Sequence, residues 1–167
     1  MNINYRSIYI QNLIIIFLFL IFSIALAISK NPKHNISNTN INIQYFNNQG
    51  VKNLESKYTI YYIWATWCSV CKANINISHW NYNLSNYFGI NYISLEEGEN
   101  LDKLREFLNG EKINYPIGLL NDNISEQFNI TEYPTYIYIK DNNIYMKDSG
   151  IVNPISFLLR ILYLKII

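Results

Sequence analysis

From Leu13 to Ile28 the chain is apolar apart from Ser23, and Ile8-Tyr9-Ile10 extends that run across Gln11-Asn12. Taken together, residues 8–28 approach the ~20 residues of a membrane-spanning helix. Ala25-Leu26-Ala27 also forms a small-residue cleavage site behind an apolar core, as in a secretory signal peptide. The length of the run favours an uncleaved anchor over cleavage after Ala27. Either outcome carries the rest of the chain across the membrane, so the expected location is membrane-anchored and extracytoplasmic (periplasmic in a Gram-negative bacterium). Arg6 precedes the run while Lys30 and Lys33 follow it, so charge asymmetry encodes the orientation only weakly. Residues 1–29 thus read as an anchor or signal peptide. Residues 30–44, rich in asparagine and broken by Pro32, read as a tether. Residues 45–167 read as a globular domain.

Within that domain the apolar positions change period. Thr59 to Ala65 is β-branched and aromatic with no alternation, as a strand covered on both faces would be. Val70, Ala73, Ile77, Trp80, Leu84 and Tyr87 then recur at helical spacing, and Gly89 stands where a helix would stop. Ile90 to Leu95 predicts a second core strand. Glu96 to Asn100 is an acidic connection, and Leu101, Leu104, Phe107 and Leu108 predict a short amphipathic helix ended by Gly110. Tyr115 to Leu120 predicts an edge strand, and Asn123 is placed to cap a helical turn through Phe128. Tyr136 to Ile139 and Ile144 to Met146 flank Asp141-Asn142-Asn143, a hairpin signal. Ile155, Leu158, Leu159 and Leu162 predict a last helix that closes the sheet on one face. Strands alternate with helices and a hairpin comes last, so the fold class is α/β with a mixed central sheet flanked by helices.

Composition changes this picture little. Half of the 167 residues are hydrophobic, which supplies a core, and a net charge of +1 without a basic stripe excludes nucleic acid as the main partner. Asparagine is abundant, so triplets such as Asn76-Ile77-Ser78 are not evidence of glycosylation.

The chemistry lies in Cys68 and Cys71, the only cysteines of the chain, placed between the apolar strand and the helical pattern. Unpaired N–H groups at a helix start favour an anion, and the thiolate is the attacking form of cysteine. Cys68, at the helix mouth, is the expected exposed nucleophile; Cys71, one turn deeper, would resolve the mixed disulfide it forms. Lys72 adds positive charge nearby unless it points into water. Zinc needs about four ligands, and His34 and His79 lack the spacing of a paired site. A c-type haem needs a histidine where Lys72 stands. A structural disulfide across so short a loop would constrain little of the unfolded chain. A dithiol holding a soft ion such as Cu(I) remains the rival, as a copper-binding or metallochaperone-assisting module. No metal is assigned.

The stretch Ile63-Trp64-Ala65-Thr66-Trp67-Cys68-Ser69-Val70-Cys71, with Tyr133-Pro134-Thr135 opening a later strand, resembles the thioredoxin-fold, TlpA-like membrane-anchored thiol–disulfide oxidoreductases. Asp148-Ser149-Gly150 before a final helix containing Arg160 is similar to the suppressor-of-copper-sensitivity D branch of that group. The likeness covers residues from about 45 to the end. It implies a protein-disulfide oxidoreductase whose redox-active disulfide, Cys68–Cys71, replaces any diffusible cofactor. Its substrates would be protein thiols or disulfides, and a membrane redox partner would regenerate the pair. It further implies a cis peptide before Pro134, facing the cysteines, with the Tyr133 backbone offering hydrogen bonds to the substrate. Trp67 is expected to contact partners or shield the sulfurs, or simply to pack. Two positions depart from the family. Tyr62 stands where many thioredoxins bury a carboxylate, and Ser69-Val70 replaces a proline-containing pair, so the direction of electron flow is open. Glu132 is expected at the surface, Trp64 and Trp80 in the core, and His79 on the outside.

Overall fold

A computed structural model describes residues 8–18, 34–35, 43–47, 56–98 and 100–167. It divides into two units, Met1–Pro32 and Lys33–Ile167. In the first, residues 8–18 are helical (α1) and their side chains are exposed. Among the described residues no helix is long and apolar enough to cross a membrane. The expected remainder of the anchor and the site after Ala27 lie outside the described residues, as does most of the expected tether.

The second unit is built on one sheet. In chain order its described elements are β1 (His34–Asn35), β2 (Gln44–Asn47), β3 (Tyr58–Trp64), α2 (Ser69–Ala73), α3 (Ile75–Tyr87), β4 (Asn91–Glu96), α4 (Leu101–Gly110), β5 (Ile117–Leu119), α5 (Asp122–Gln127), β6 (Thr135–Lys140), β7 (Asn143–Ser149) and α6 (Pro154–Ile166). The strand order is β1-β7-β6-β3-β4-β5-β2. Strands β3, β4 and β5 run parallel, β6 runs antiparallel to β3 and β7 antiparallel to β6, so β6 alone reverses direction and the five central strands form a mixed sheet. His34–Asn35 adds to the β7 edge and β2 to the β5 edge, both antiparallel. The edge strand expected at Tyr115–Leu120 is therefore flanked on both sides, by β4 and β2.

The lack of alternation in β3 has the expected cause. Tyr61 and Ile63 join Ile93, Leu95, Ile137, Ile139, Ile124 and Phe128 in one cluster. On the other face Tyr62 lies 4.8 Å from Tyr136 between ring centroids, and Phe157 of α6 lies 5.8–6.4 Å from Tyr92, Tyr136 and Tyr138. The hairpin forms at Asp141 and Asn142, with φ of 47° and 59°, the left-handed geometry that asparagine and aspartate tolerate.

Four expectations are corrected by the packing. The helix after the cysteines is two helices meeting at Asn74. Its inward face is Asn74, Ser78, Asn81 and Ser85, all fully buried, while Val70, Trp80 and Tyr87 are exposed. Trp80 is thus not core: Ser78 and Asn81 occupy the inward turn on either side of it, and 65% of its surface is in solvent. In α6 the buried residues are Phe157, Ile161 and Leu164, so Ile155, Leu159 and Leu162 face outward instead of closing the sheet. Finally, α5 is capped by Asn121, whose side chain accepts from the Ile124 N–H at 2.9 Å, and not by Asn123.

The polar face of α3 is tolerated because hydroxyls meet it. The Asn74 amide donates to the Tyr136 hydroxyl at 3.0 Å, and the Asn81 amide donates to the Val152 carbonyl at 3.0 Å. Desolvation by burial raises the Tyr62 and Tyr136 phenols above their ordinary values, so both stay protonated and remain able to donate.

Candidate active site

The end of β3 delivers the cysteines. Ala65 closes the strand, and the Cys68 N–H donates back to its carbonyl at 3.2 Å, turning the chain into α2. Cys68 is the N-cap residue, with extended backbone, and its sulfur accepts from the Cys71 N–H at 3.1 Å. A donor held on that sulfur stabilises it as an anion whenever the bond to its partner is open. Cys68 and Cys71 are joined as a disulfide, with Cα atoms 5.2 Å apart. Cys68 is less open than expected, at 6% exposure, although Cys71 is lower still at 1%. The shielding comes from the next loops. Cys68 Sγ lies 3.7 Å from the Tyr133 carbonyl oxygen, and the Tyr133–Pro134 peptide is cis.

Of the residues expected at the site, Trp67, Cys68, Cys71, Tyr133 and Pro134 are brought together. Pro134 is buried at the start of β6 and Tyr133 is half-buried. Trp67 is 59% exposed, and its ring meets that of Tyr133 edge-on at 5.5 Å. Its indole N–H donates to the Glu97 carboxylate. Trp67 is therefore a held but solvent-facing ring beside the sulfurs. Lys72 points outward, Glu132 is exposed, and Tyr62 and Trp64 are core. His79 is half-buried against Tyr115, one helix away from the disulfide.

Sequence reasoning missed Glu96. The acidic connection begins with a carboxylate that is 2% exposed, at the end of β4 beside Trp64. It accepts from the Thr66 N–H at 3.3 Å and the Gly98 N–H at 2.9 Å, bracing the loop that carries Trp67 and Cys68. Desolvation is the dominant influence and raises its pKa above the ordinary 4.5, with the two backbone donors opposing. A carboxyl whose pKa is higher folded than unfolded favours the folded state below 4.5. That contribution is lost as pH rises through the folded-state value. Urea midpoints measured at a series of pH values on both sides of 4.5 should therefore decline with pH in the wild type, and Glu96→Gln should flatten that decline. An unchanged slope in the variant would remove Glu96 as its source. β4 is buried at every position from Asn91 to Glu96, and its apolar residues continuing through Leu95 were the available hint that the next residue is still inside.

Among the described residues, no group of three or more His, Cys, Asp or Glu side chains is placed to hold a metal ion. What the arrangement does contain is a dithiol pair able to open and close, a backbone carbonyl beside the first sulfur and an exposed indole next to both.

No protein-family profile matches the chain, and no curated protein does. Solved structures do. StoA from Bacillus subtilis superposes with a TM-score of 0.56 at 18% identity, over 62% of this chain and 81% of that one. The N-terminal domain of PilB from Neisseria gonorrhoeae gives 0.55 at 22% identity, over 64% and 76%. A thiol:disulfide interchange protein of the thioredoxin family from Chlorobium tepidum gives 0.52 at 22% identity, over 64% and 78%. The second unit has the thioredoxin-like fold of these proteins.

Proposed function

We propose that this chain is a thiol–disulfide oxidoreductase that exchanges electrons with protein thiols through Cys68 and Cys71. The observation that carries the reading is the closed Cys68–Cys71 pair at the N-terminus of α2, with the Cys71 N–H on the outer sulfur and the Tyr133 carbonyl beside it. Two solved structures with the same fold, both thiol:disulfide interchange proteins by name and both from Chlorobium tepidum, support it.

The chemistry balances within the two partners. In the reducing direction the Cys68 thiolate attacks one sulfur of a substrate disulfide, forming a mixed disulfide and releasing the other substrate sulfur as thiolate. The Cys71 thiolate then attacks Cys68 Sγ, closing the intramolecular disulfide and expelling the remaining substrate sulfur as thiolate. Two electrons pass to the substrate. Oxidation is the same path reversed, beginning with a substrate thiolate on Cys68. Trp67, Tyr133 and Pro134 form the surface against which the substrate segment rests, with the Tyr133 backbone as its hydrogen-bonding partner. No diffusible cofactor takes part.

Residues 8–28 would anchor the domain outside the cytoplasm, where a membrane redox protein would regenerate the pair. The apolar run from Leu13 to Ile28 and the exposed Leu13, Ile15 and Phe17 of α1 support this part of the reading. The rival, a Cu(I)-holding dithiol, uses the same sulfurs. Titrating the reduced chain with Cu(I) alongside a protein-disulfide exchange assay separates the two. Turnover of the substrate disulfide is expected; tight stoichiometric copper binding without turnover would overturn the oxidoreductase reading.

A further inference from the structure

α6 is apolar on both sides. Phe157, Ile161 and Leu164 fill the core, yet Ile155, Leu159, Leu162 and Ile166 recur on the opposite side and are 76%, 37%, 39% and 83% exposed. A helix that is apolar all round is normally covered all round. What lies at the end of this outer stripe identifies the cover. Beside Ile166, Lys165 reaches the ring of Tyr58, with its ammonium 5.4 Å from the centroid. Lys57 and Lys140 reach the same ring at 5.5 and 5.7 Å. Three ammonium groups thus converge on one tyrosine. The ion pairs among the described residues are Arg105–Asp102 and Arg160–Asp148, so none of the three lysines is paired there. Asp141, in the adjoining hairpin turn, and Glu55, two residues before Lys57, are the acidic neighbours in sequence.

We propose that this surface, the outer stripe of α6 together with the Lys57–Lys140–Lys165 cluster, lies on an anionic lipid bilayer. Aliphatic side chains entering the headgroup boundary, with lysines and tyrosine beside them, are the composition of an interfacial helix. A second copy of the chain is disfavoured as the cover. A symmetric contact pairs this patch with itself, and α6 carries no aspartate or glutamate to neutralise the lysines of the other copy. The surface has a consequence for the site. β3 runs from Tyr58 to Trp64 and Cys68 follows its far end, so the cluster and the disulfide occupy opposite ends of the sheet. The charged end of the contact thus lies at the end of the sheet remote from the disulfide. This holds whether or not residues 8–28 stay attached, and whether or not the cysteines exchange disulfides.

The test places a photoreactive benzoylphenylalanine at Leu162 in the full chain, and separately at Asp122 on α5 as a control. Each is incubated with phosphatidylglycerol-containing vesicles and with pure phosphatidylcholine vesicles, and the adducts are identified by mass. A lipid adduct at position 162 that depends on phosphatidylglycerol, and none at 122, is expected. Combining Lys57→Gln, Lys140→Gln and Lys165→Gln should lower that adduct by about fivefold per lysine removed. A cooperative urea transition with an unchanged midpoint in the combined variant would show that it still folds. An adduct to a second copy, equal lipid adducts at both positions, or no lipid adduct at 162 would each overturn the proposal. Failure of disulfide exchange would leave it standing, because the adduct does not depend on the cysteines.

Discussion

Cys71→Ser is expected to leave the protein covalently caught on its substrates. Cys68 still attacks, but the group that would displace the substrate from it is gone, so a mixed disulfide should accumulate and survive alkylation. Cys68→Ser should give no such species. Both variants should lose essentially all turnover, because each step needs one of the two sulfurs and no described side chain stands in for either. The asymmetry follows from placement. Cys68 caps the helix, receives the Cys71 N–H and lies beside the Tyr133 carbonyl, whereas Cys71 is 1% exposed beneath it. Non-reducing electrophoresis after acid quenching, with a disulfide-bonded protein as substrate, reads the result directly. If the serine at position 68 traps substrate and the one at 71 does not, the assignment of attacker and resolver is reversed.

The second large effect is expected far from the sulfurs. Phe157→Ala should destabilise the domain by about 3–5 kcal/mol, the range for deleting a fully buried aromatic ring whose surroundings relax only in part. Phe157 is fully buried, and its ring meets Tyr92, Tyr136 and Tyr138 on two strands. Of these tyrosines Tyr136 also accepts from the Asn74 amide, so the space left behind cannot simply collapse without disturbing that contact. Leu159→Ala, two residues on and half exposed, is the comparison and should cost less than about 1 kcal/mol. Chemical denaturation of both variants checks the pair. Equal losses would mean that the outer face of α6 is packed as firmly as the inner one.

The same contrast between the two faces of a helix marks where the sequence was legible and where it was not. The doubly covered β3, the stop at Gly89, the hairpin at Asp141 and the cysteine pair at a helix start were all readable. Each depends on neighbours a few residues apart, whose spacing and backbone preferences are local. The inward face of α3 was not readable by hydrophobicity, because its buried positions are asparagine and serine. The periodic run of Asn74, Ser78, Asn81 and Ser85 was visible, but nothing in it said that tyrosine hydroxyls would be waiting across the sheet. The exposed stripe of α6 was misread for the matching reason: Leu159 and Leu162 are as apolar as Phe157 and Ile161.

By itself, then, the sequence determined the chemistry: two thiols at helical spacing behind a buried strand, followed much later by a proline-led strand. Only the tertiary structure decided what surrounds them. Tyr133 reaches Cys68 across 65 residues of chain, and Glu96 reaches the Thr66 N–H across 30. Such contacts arise from strand register and from the direction in which a helix rolls onto a sheet. Those are settled by competition among all buried side chains at once, and no short window of residues carries that information.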